Sequence, residues 1–345
     1  MSRTNALQFH RNGSRPMSSV PGAENSSRAA ARGAWWRTGL DLCRPYEWVT
    51  LAYLGLSGLF LAIFHGNLPG AWIHFLIRCG IAGAIFALVW AAWRWPSAGL
   101  RFARHWYPLA LFIFFFEELH YLCHLIFAQW FDAWLIEFDF ALFRAHPTVW
   151  LEQFATPARN DLMAFFYLTY YFYTVVLAGL LYGKRQWRAF WVLMTATAVA
   201  YAMGYVIAIL FPVEGPYHTL AAMQRGGLEG GPATALMNVI QRFGRVHGAA
   251  FPSLHVAGAF VAVLGAWRYA RRMFWVFLPL FMAMCVSTVY GRYHYVADIF
   301  GGLIIGGMGW LLGRRWEARE AEEVEEVDEV EDSEAAAASR RRLFR

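Results

Sequence analysis

Phe251-Pro252-Ser253-Leu254-His255 and Tyr290-Gly291-Arg292-Tyr293-His294-Tyr295-Val296-Ala297-Asp298 enclose two apolar spans joined by a short basic hairpin, Arg268 to Arg272. Read as helices, these spans place two histidines at the starts of two membrane helices that run in the same direction. His294 and Asp298 have i,i+4 spacing, so on a helix they share a face and the carboxylate can hold the imidazole through its far nitrogen. A histidine held this way is a nucleophile or base. A second histidine at the same depth, His255, can supply the complementary acid. Each alone reads as an interfacial histidine with a capping Asp; together they point to chemistry.

The surrounding chain sets the fold class. Of 345 residues, 58% are hydrophobic and 18% aromatic, the composition of a polytopic membrane protein. Apolar spans occur at about 48–66, 71–93, 107–129, 161–182, 188–211, 253–269, 273–291 and 295–313. Each is long enough, or nearly so, to cross a ~30 Å hydrocarbon layer. The expected fold is an all-α polytopic integral membrane helix bundle with about eight transmembrane helices.

Charge placement then orients it. Arg94, Arg101 and Arg104 occupy one short loop, Lys184, Arg185 and Arg188 a second, and Arg268, Arg271 and Arg272 a third, while Arg314 and Arg315 follow the last span. With eight helices all four segments share a side with the Arg-rich N-terminus. The positive-inside rule puts both termini in the cytoplasm and His255 and His294 on the extracytoplasmic side. Lys184 is the sole lysine; such Arg and Ala usage is associated with bacterial chains, and the expected location is a bacterial inner (plasma) membrane.

Two tails flank the expected 47–315 transmembrane catalytic domain, whose motifs lie in 212–298. Residues 1–46 read as a disordered basic cytoplasmic tail, and 316–345 as an acidic one. The outer loop over about 130–160, with Phe138-Asp139-Phe140, predicts a surface helix in the headgroup layer. The loop over 212–250 feeds His255 and is long enough to be functional. Cys43, Cys79, Cys123 and Cys285 lack metal or redox spacing and predict buried thiols without an obligatory disulfide. There is no nucleic-acid motif. The expected partners are the membrane and a lipid substrate within it; oligomeric state is not legible.

Pro252-Ser253-x-His255 followed by His294-x-x-x-Asp298 resembles the type-2 phosphatidic acid phosphatase superfamily, over about residues 135 to 313. The spelling Pro-Ser-Leu-His with Tyr-x-x-Tyr-His-Tyr-x-x-Asp is closer to the inositol phosphorylceramide synthase branch. The resemblance implies a six-helix catalytic core in which His294 attacks phosphorus, His255 protonates the leaving alcohol and Asp298 orients His294. That scheme needs no cofactor and no metal.

The chain departs from the phosphatase pattern at its cationic residues. It has no Lys-x6-Arg-Pro element, and Thr288 stands six residues before His294 where the phosphatases have arginine. Phosphate charge is then expected to fall on Arg292 and Arg245, with Arg242 behind them and the amides near Ser253. The departure favours head-group transfer over simple hydrolysis. A competing constellation is Glu117, Glu118, His120 and His124 in one span. Glu117-x-x-His120 has di-metal spacing, but no second copy occurs. These residues read as a polar seam, or as the relay of a transporter. The expected function is lipid phosphatase or phosphotransferase chemistry through a phosphohistidine.

Overall fold

The computed structural model describes residues 42–316 except 245, so nearly all of both tails lies outside the described residues. The chain is helical, with one isolated parallel bridge, Val213 to Ala249. Many helices start at a proline, whose fixed φ and missing N–H suit the first turn. These include α1 (Pro45–Ile63), the short α5 (Pro147–Leu151) and α6 (Pro157–Leu168), which continues past Thr169 into α7 (Tyr170–Gly183). Between them run α2 (Ala71–Arg94), α3 (Ala98–Leu122) and α4 (Asp132–Phe143). After α7 come α8 (Trp187–Leu210), the one-turn α9 (Pro216–Thr219), α10 (Pro232–Gly244), α11 (Leu254–Tyr269), α12 (Arg271–Tyr290) and α13 (Val296–Trp316).

Among the described residues six helices are long and apolar enough to cross a membrane: α1, α2, α6–α7, α8, α12 and α13. Two of the eight expected spans differ. α11 is apolar but has only 16 residues. α3 begins at its Ser97 cap, well before residue 107, and takes in Arg101 and Arg104 as well as Glu117 and Glu118.

α8 is the central column, with 78% of its apolar stretch buried against 22% for α2. It packs on α1, α3, α7 and α11. Trp72, Ile73 and Leu76 of α2 point outward, an apolar exterior that suits hydrocarbon as solvent. α11 and α13 approach closely through glycine: a Cβ on Gly302 would lie 2.5 Å from the Ser253 carbonyl oxygen, and one on Gly306 2.8 Å from that of Ala257.

The buried carboxylates Glu47 and Glu118 are paired with arginines. Arg104 makes a two-pronged bond to the buried Glu47, 2.8 Å on each arm. Arg78 bonds Glu118 at 2.6 Å and Ser57 at 2.9 Å, and His74 lies 3.0 Å from the same Glu118 oxygen. The polar seam read from Glu117, Glu118, His120 and His124 is therefore not one unit. Glu118 alone is buried, Glu117 and His120 are exposed, and His124 bonds the Phe127 carbonyl. All four cysteines are free; Cys79 faces outward, against the expected burial.

Candidate active site

α11 and α13 start side by side because their first turns are tied together. Ser253 caps α11, its Oγ accepting from Val256 N–H at 3.3 Å. Its own N–H donates to the Asp298 carbonyl at 3.0 Å. His255, in the first turn of α11, and His294, two residues before α13, are thereby brought to one level. His294 is not itself helical, as its spacing from Asp298 had predicted, but the contact forms.

The start of α13 is capped from two directions. Asp298 reaches back to the Tyr295 N–H at 2.8 Å, the N3 half of a capping box. Tyr295 has no side chain able to complete it. Instead Asp139 of α4 accepts from Val296 N–H at 2.9 Å and Ala297 N–H at 3.0 Å. Burial pushes the Asp139 carboxyl up, and these two donors pull it back. One helical repeat earlier, Asp132 accepts from Glu214 N–H at 2.9 Å, Gly215 N–H at 2.8 Å and the Tyr295 hydroxyl at 2.8 Å. The helix expected to lie among headgroups thus has an inner face of carboxylates that fixes the site, while Trp134, Phe138 and Leu142 point outward.

Four side chains form a continuous hydrogen-bonded row. His294 Nδ1 is 3.2 Å from Asp298 Oδ2 and 2.9 Å from the Ala250 carbonyl. Both are acceptors, so Nδ1 carries the proton and Nε2 presents its lone pair. That Nε2 faces His255 Nδ1 at 3.3 Å, and His255 Nε2 meets the Tyr167 hydroxyl at 2.9 Å. The same logic assigns the proton of His255 to Nδ1, with Nε2 accepting from Tyr167. The Tyr170 ring backs His255 at 4.4 Å between centroids.

The other expected residues fall in different places. Arg292 sits at φ +64°, in the left-handed region that costs a non-glycine residue about 1 kcal/mol. Its guanidinium is clamped by Glu152 at 2.8 Å, Gln224 at 3.1 Å and the Gly226 carbonyl at 2.6 Å. Its Nε remains without a partner. Ser253 uses both its N–H and its Oγ on the fold and does not line the cavity. Arg242 is exposed and also outside the cavity lining. Arg245 lies outside the described residues.

A cavity of ≈ 310 Å³ opens beside the pair. Its polar lining includes His255, His294, Arg292, Glu214 and His218, and its apolar wall includes Phe112, Ile113 and Phe116 of α3 with Val175 of α7. Charged groups and hydrocarbon in one cavity are the lining an amphiphile requires. Glu117 also borders it.

The PAP2 superfamily sequence pattern matches residues 133–312, just over half of the chain and the whole run from α4 into α13. The chain belongs to the PAP2 superfamily. No curated protein and no solved structure matches it. As a PAP2 protein it is a membrane phosphatase-like enzyme of the phosphatase and phosphotransferase class, and the matched segment contains every member of the row from Tyr167 to Asp298.

Tyr167, the Ala250 carbonyl, Asp132, Asp139 and Glu152 were not singled out as site residues by sequence. Asp132 and Asp139 carried a signal, i,i+7 spacing on one helix face. Tyr167 belongs to a tyrosine cluster, Tyr167, Tyr170, Tyr171 and Tyr173, that reads from sequence more as core and interface packing than as a substrate box, and its partner is far away in sequence.

Proposed function

We propose that this PAP2 protein transfers the phosphoryl-bearing head group of a membrane lipid through a phosphohistidine at His294. The row Asp298–His294–His255 opening onto a cavity with an apolar wall carries the reading. His294 Nε2 attacks phosphorus while Asp298 and the Ala250 carbonyl hold the Nδ1 proton. His255 acts as the imidazolium, its second proton brought by the substrate phosphate: it gives one proton to the departing oxygen, returns to neutral imidazole, and then takes a proton from the incoming hydroxyl. The apolar wall receives an acyl chain, and the scissile phosphate meets the polar lining.

The missing phosphatase arginine and lysine elements favour an alcohol acceptor over water, as in the inositol phosphorylceramide synthase branch. The transporter reading loses its basis, because Glu118 is engaged by Arg78 and the remaining three residues do not join it. We further take α3 and α11 as spans. That makes eight, both termini cytoplasmic and the site extracytoplasmic. A reporter active only outside the cytoplasm should work near Arg225 and fail near Arg185 or Arg271; the reverse would overturn the orientation.

The test of function is product analysis with purified protein and labelled phosphatidate or phosphatidylinositol, each with and without ceramide or diacylglycerol. Transfer of label to the added alcohol is the expected outcome. Release of inorganic phosphate alone would reduce the reading to hydrolysis, and no turnover of either donor would contradict it.

A further inference from the structure

Phosphoryl transfer requires fixed positive charge, and the described cavity lining offers one arginine, Arg292, whose two terminal nitrogens are engaged by the protein. Beside it lies a cluster of different chemistry. Glu214, His218 and His247 each present one ligand atom, all within 4.8 Å of one another. The two imidazoles lie 4.5 Å apart between centroids, and His247 Nδ1 is 3.6 Å from Glu214 Oε1. Glu214 and His218 line the same cavity as His294 and His255.

The backbone holds these ligands in place. Val213 bridges Ala249, with Val213 N–H donating to the Gly248 carbonyl at 3.3 Å and Ala250 N–H to the Val213 carbonyl at 3.1 Å. Glu214 directly follows the bridge residue Val213, and His247 lies two residues before its partner Ala249. Asp132 grips the Glu214 and Gly215 amides, and α9 then sets His218 one turn on from Glu214. Gly215 must approach closely: at φ +101° its Cβ would meet the Ala250 Cβ at 3.3 Å and the Tyr293 carbonyl at 3.4 Å. The Ala250 carbonyl is the one that holds His294, so the cluster and the nucleophile share a scaffold.

We propose that Glu214, His218 and His247 form a divalent-cation site bordering the cavity, its open position directed at the substrate phosphate. Two imidazoles and one carboxylate select a borderline first-row ion such as zinc or cobalt(II) rather than calcium or magnesium. Three protein ligands leave a position free, the arrangement of sites that bind substrate. Tetrahedral ligands at zinc distances stand about 3.4 Å apart, so closing on an ion needs side-chain shifts of roughly an ångström. The bound ion takes a phosphoryl oxygen and neutralises charge that the absent arginine and lysine elements would otherwise meet. It makes and breaks no bond, and His294 remains the nucleophile. The ion site stands on the cluster alone; its engagement of phosphate rests on the phosphotransfer reading.

The test is cobalt(II) titration of chelator-stripped, detergent-purified full-length protein, read by visible absorption. One ion per chain with d–d bands is expected in the unaltered protein and in His294→Ala. His247→Gln, at a half-exposed position, and His218→Gln should each weaken binding by roughly a hundredfold or more. Inorganic phosphate added to the cobalt-loaded His294→Ala protein should shift the bands. No saturable cobalt binding, or binding unchanged in both histidine variants, would overturn the site. Binding lost in His294→Ala would place the ion on the catalytic pair and equally overturn it. Cobalt binding without lipid turnover would leave the site intact and contradict the phosphotransfer reading. Cobalt bands indifferent to phosphate would remove the phosphate contact from the proposal.

Discussion

His294 Nε2 and His255 Nδ1 face each other at 3.3 Å, with no room between them for a phosphorus atom. In-line attack places the leaving oxygen about 4.5–5 Å from the nucleophile, so the two nitrogens must part when substrate enters. His294 is fixed from behind by Asp298 and Ala250, whereas His255 is only half-buried and anchored through the Tyr167 hydroxyl. His255 is therefore the ring that swings, and Tyr167 the partner that it leaves.

The division of labour gives a leaving-group test. His255→Ala should lower turnover of a natural lipid donor by roughly 10²–10⁴-fold, the usual contribution of a positioned acid. A nitrophenyl phosphoester, whose leaving group needs no proton, should recover much of that loss. His294→Ala should be inactive on both. Equal losses for His255→Ala on good and poor leaving groups would remove His255 as the acid.

Asp139 acts on the site from a separate helix. Asp139→Ala strands the Val296 and Ala297 amides at the start of α13 and should cost about 1–2 kcal/mol, the range for loss of an N-cap. Thermal unfolding in detergent would register it, with Asp139→Asn milder because an acceptor oxygen remains. Unchanged stability in Asp139→Ala would mean that α13 does not depend on this cap.

Much of the site was legible for a local reason. His294 and Asp298 are four residues apart, and the span that begins at each histidine fixes its depth. What the sequence could not reveal depends on pairing between distant elements. The caps on Val296 and Glu214 come from a helix whose aromatic and acidic mixture also reads as a lipid-facing surface. The Tyr167 contact with His255 crosses from α6 to α11. Arg78, in the middle of an apolar span, gave no sign that Glu118 was its partner. The bounds of α3 differ from the expected span for a simpler reason: a Ser97 cap lengthens that helix into its charged loop.

Arg292 has a clamp role and an electrostatic role that can be separated. Arg292→Ala should be severely impaired with every donor, and Arg292→Lys should recover little, because a lysine cannot reproduce the fork to Glu152, Gln224 and Gly226. Glu152→Gln keeps the fork's acceptor but removes its charge, so activity should fall far less than in Arg292→Ala. Matching losses in Glu152→Gln and Arg292→Ala would assign Arg292 to loop fixation alone.

Glu118 and Glu117 should behave oppositely despite adjacency. Glu118→Ala leaves the buried Arg78 without its counter-ion and should cost about 3–5 kcal/mol. Glu117→Gln, at an exposed position, should leave stability nearly unchanged. The measurement is unfolding of each variant in detergent, and a larger loss for Glu117→Gln would contradict the pairing.

The central claim is a covalent bond between phosphorus and His294, and trapping it is the most direct measurement. Purified His255→Ala protein, mixed briefly with a lipid donor labelled at phosphorus and quenched in alkali, should retain label that is alkali-stable and acid-labile and that maps to His294. The double variant with His294→Ala should retain none. Label on another residue, or label that persists without His294, would contradict the account.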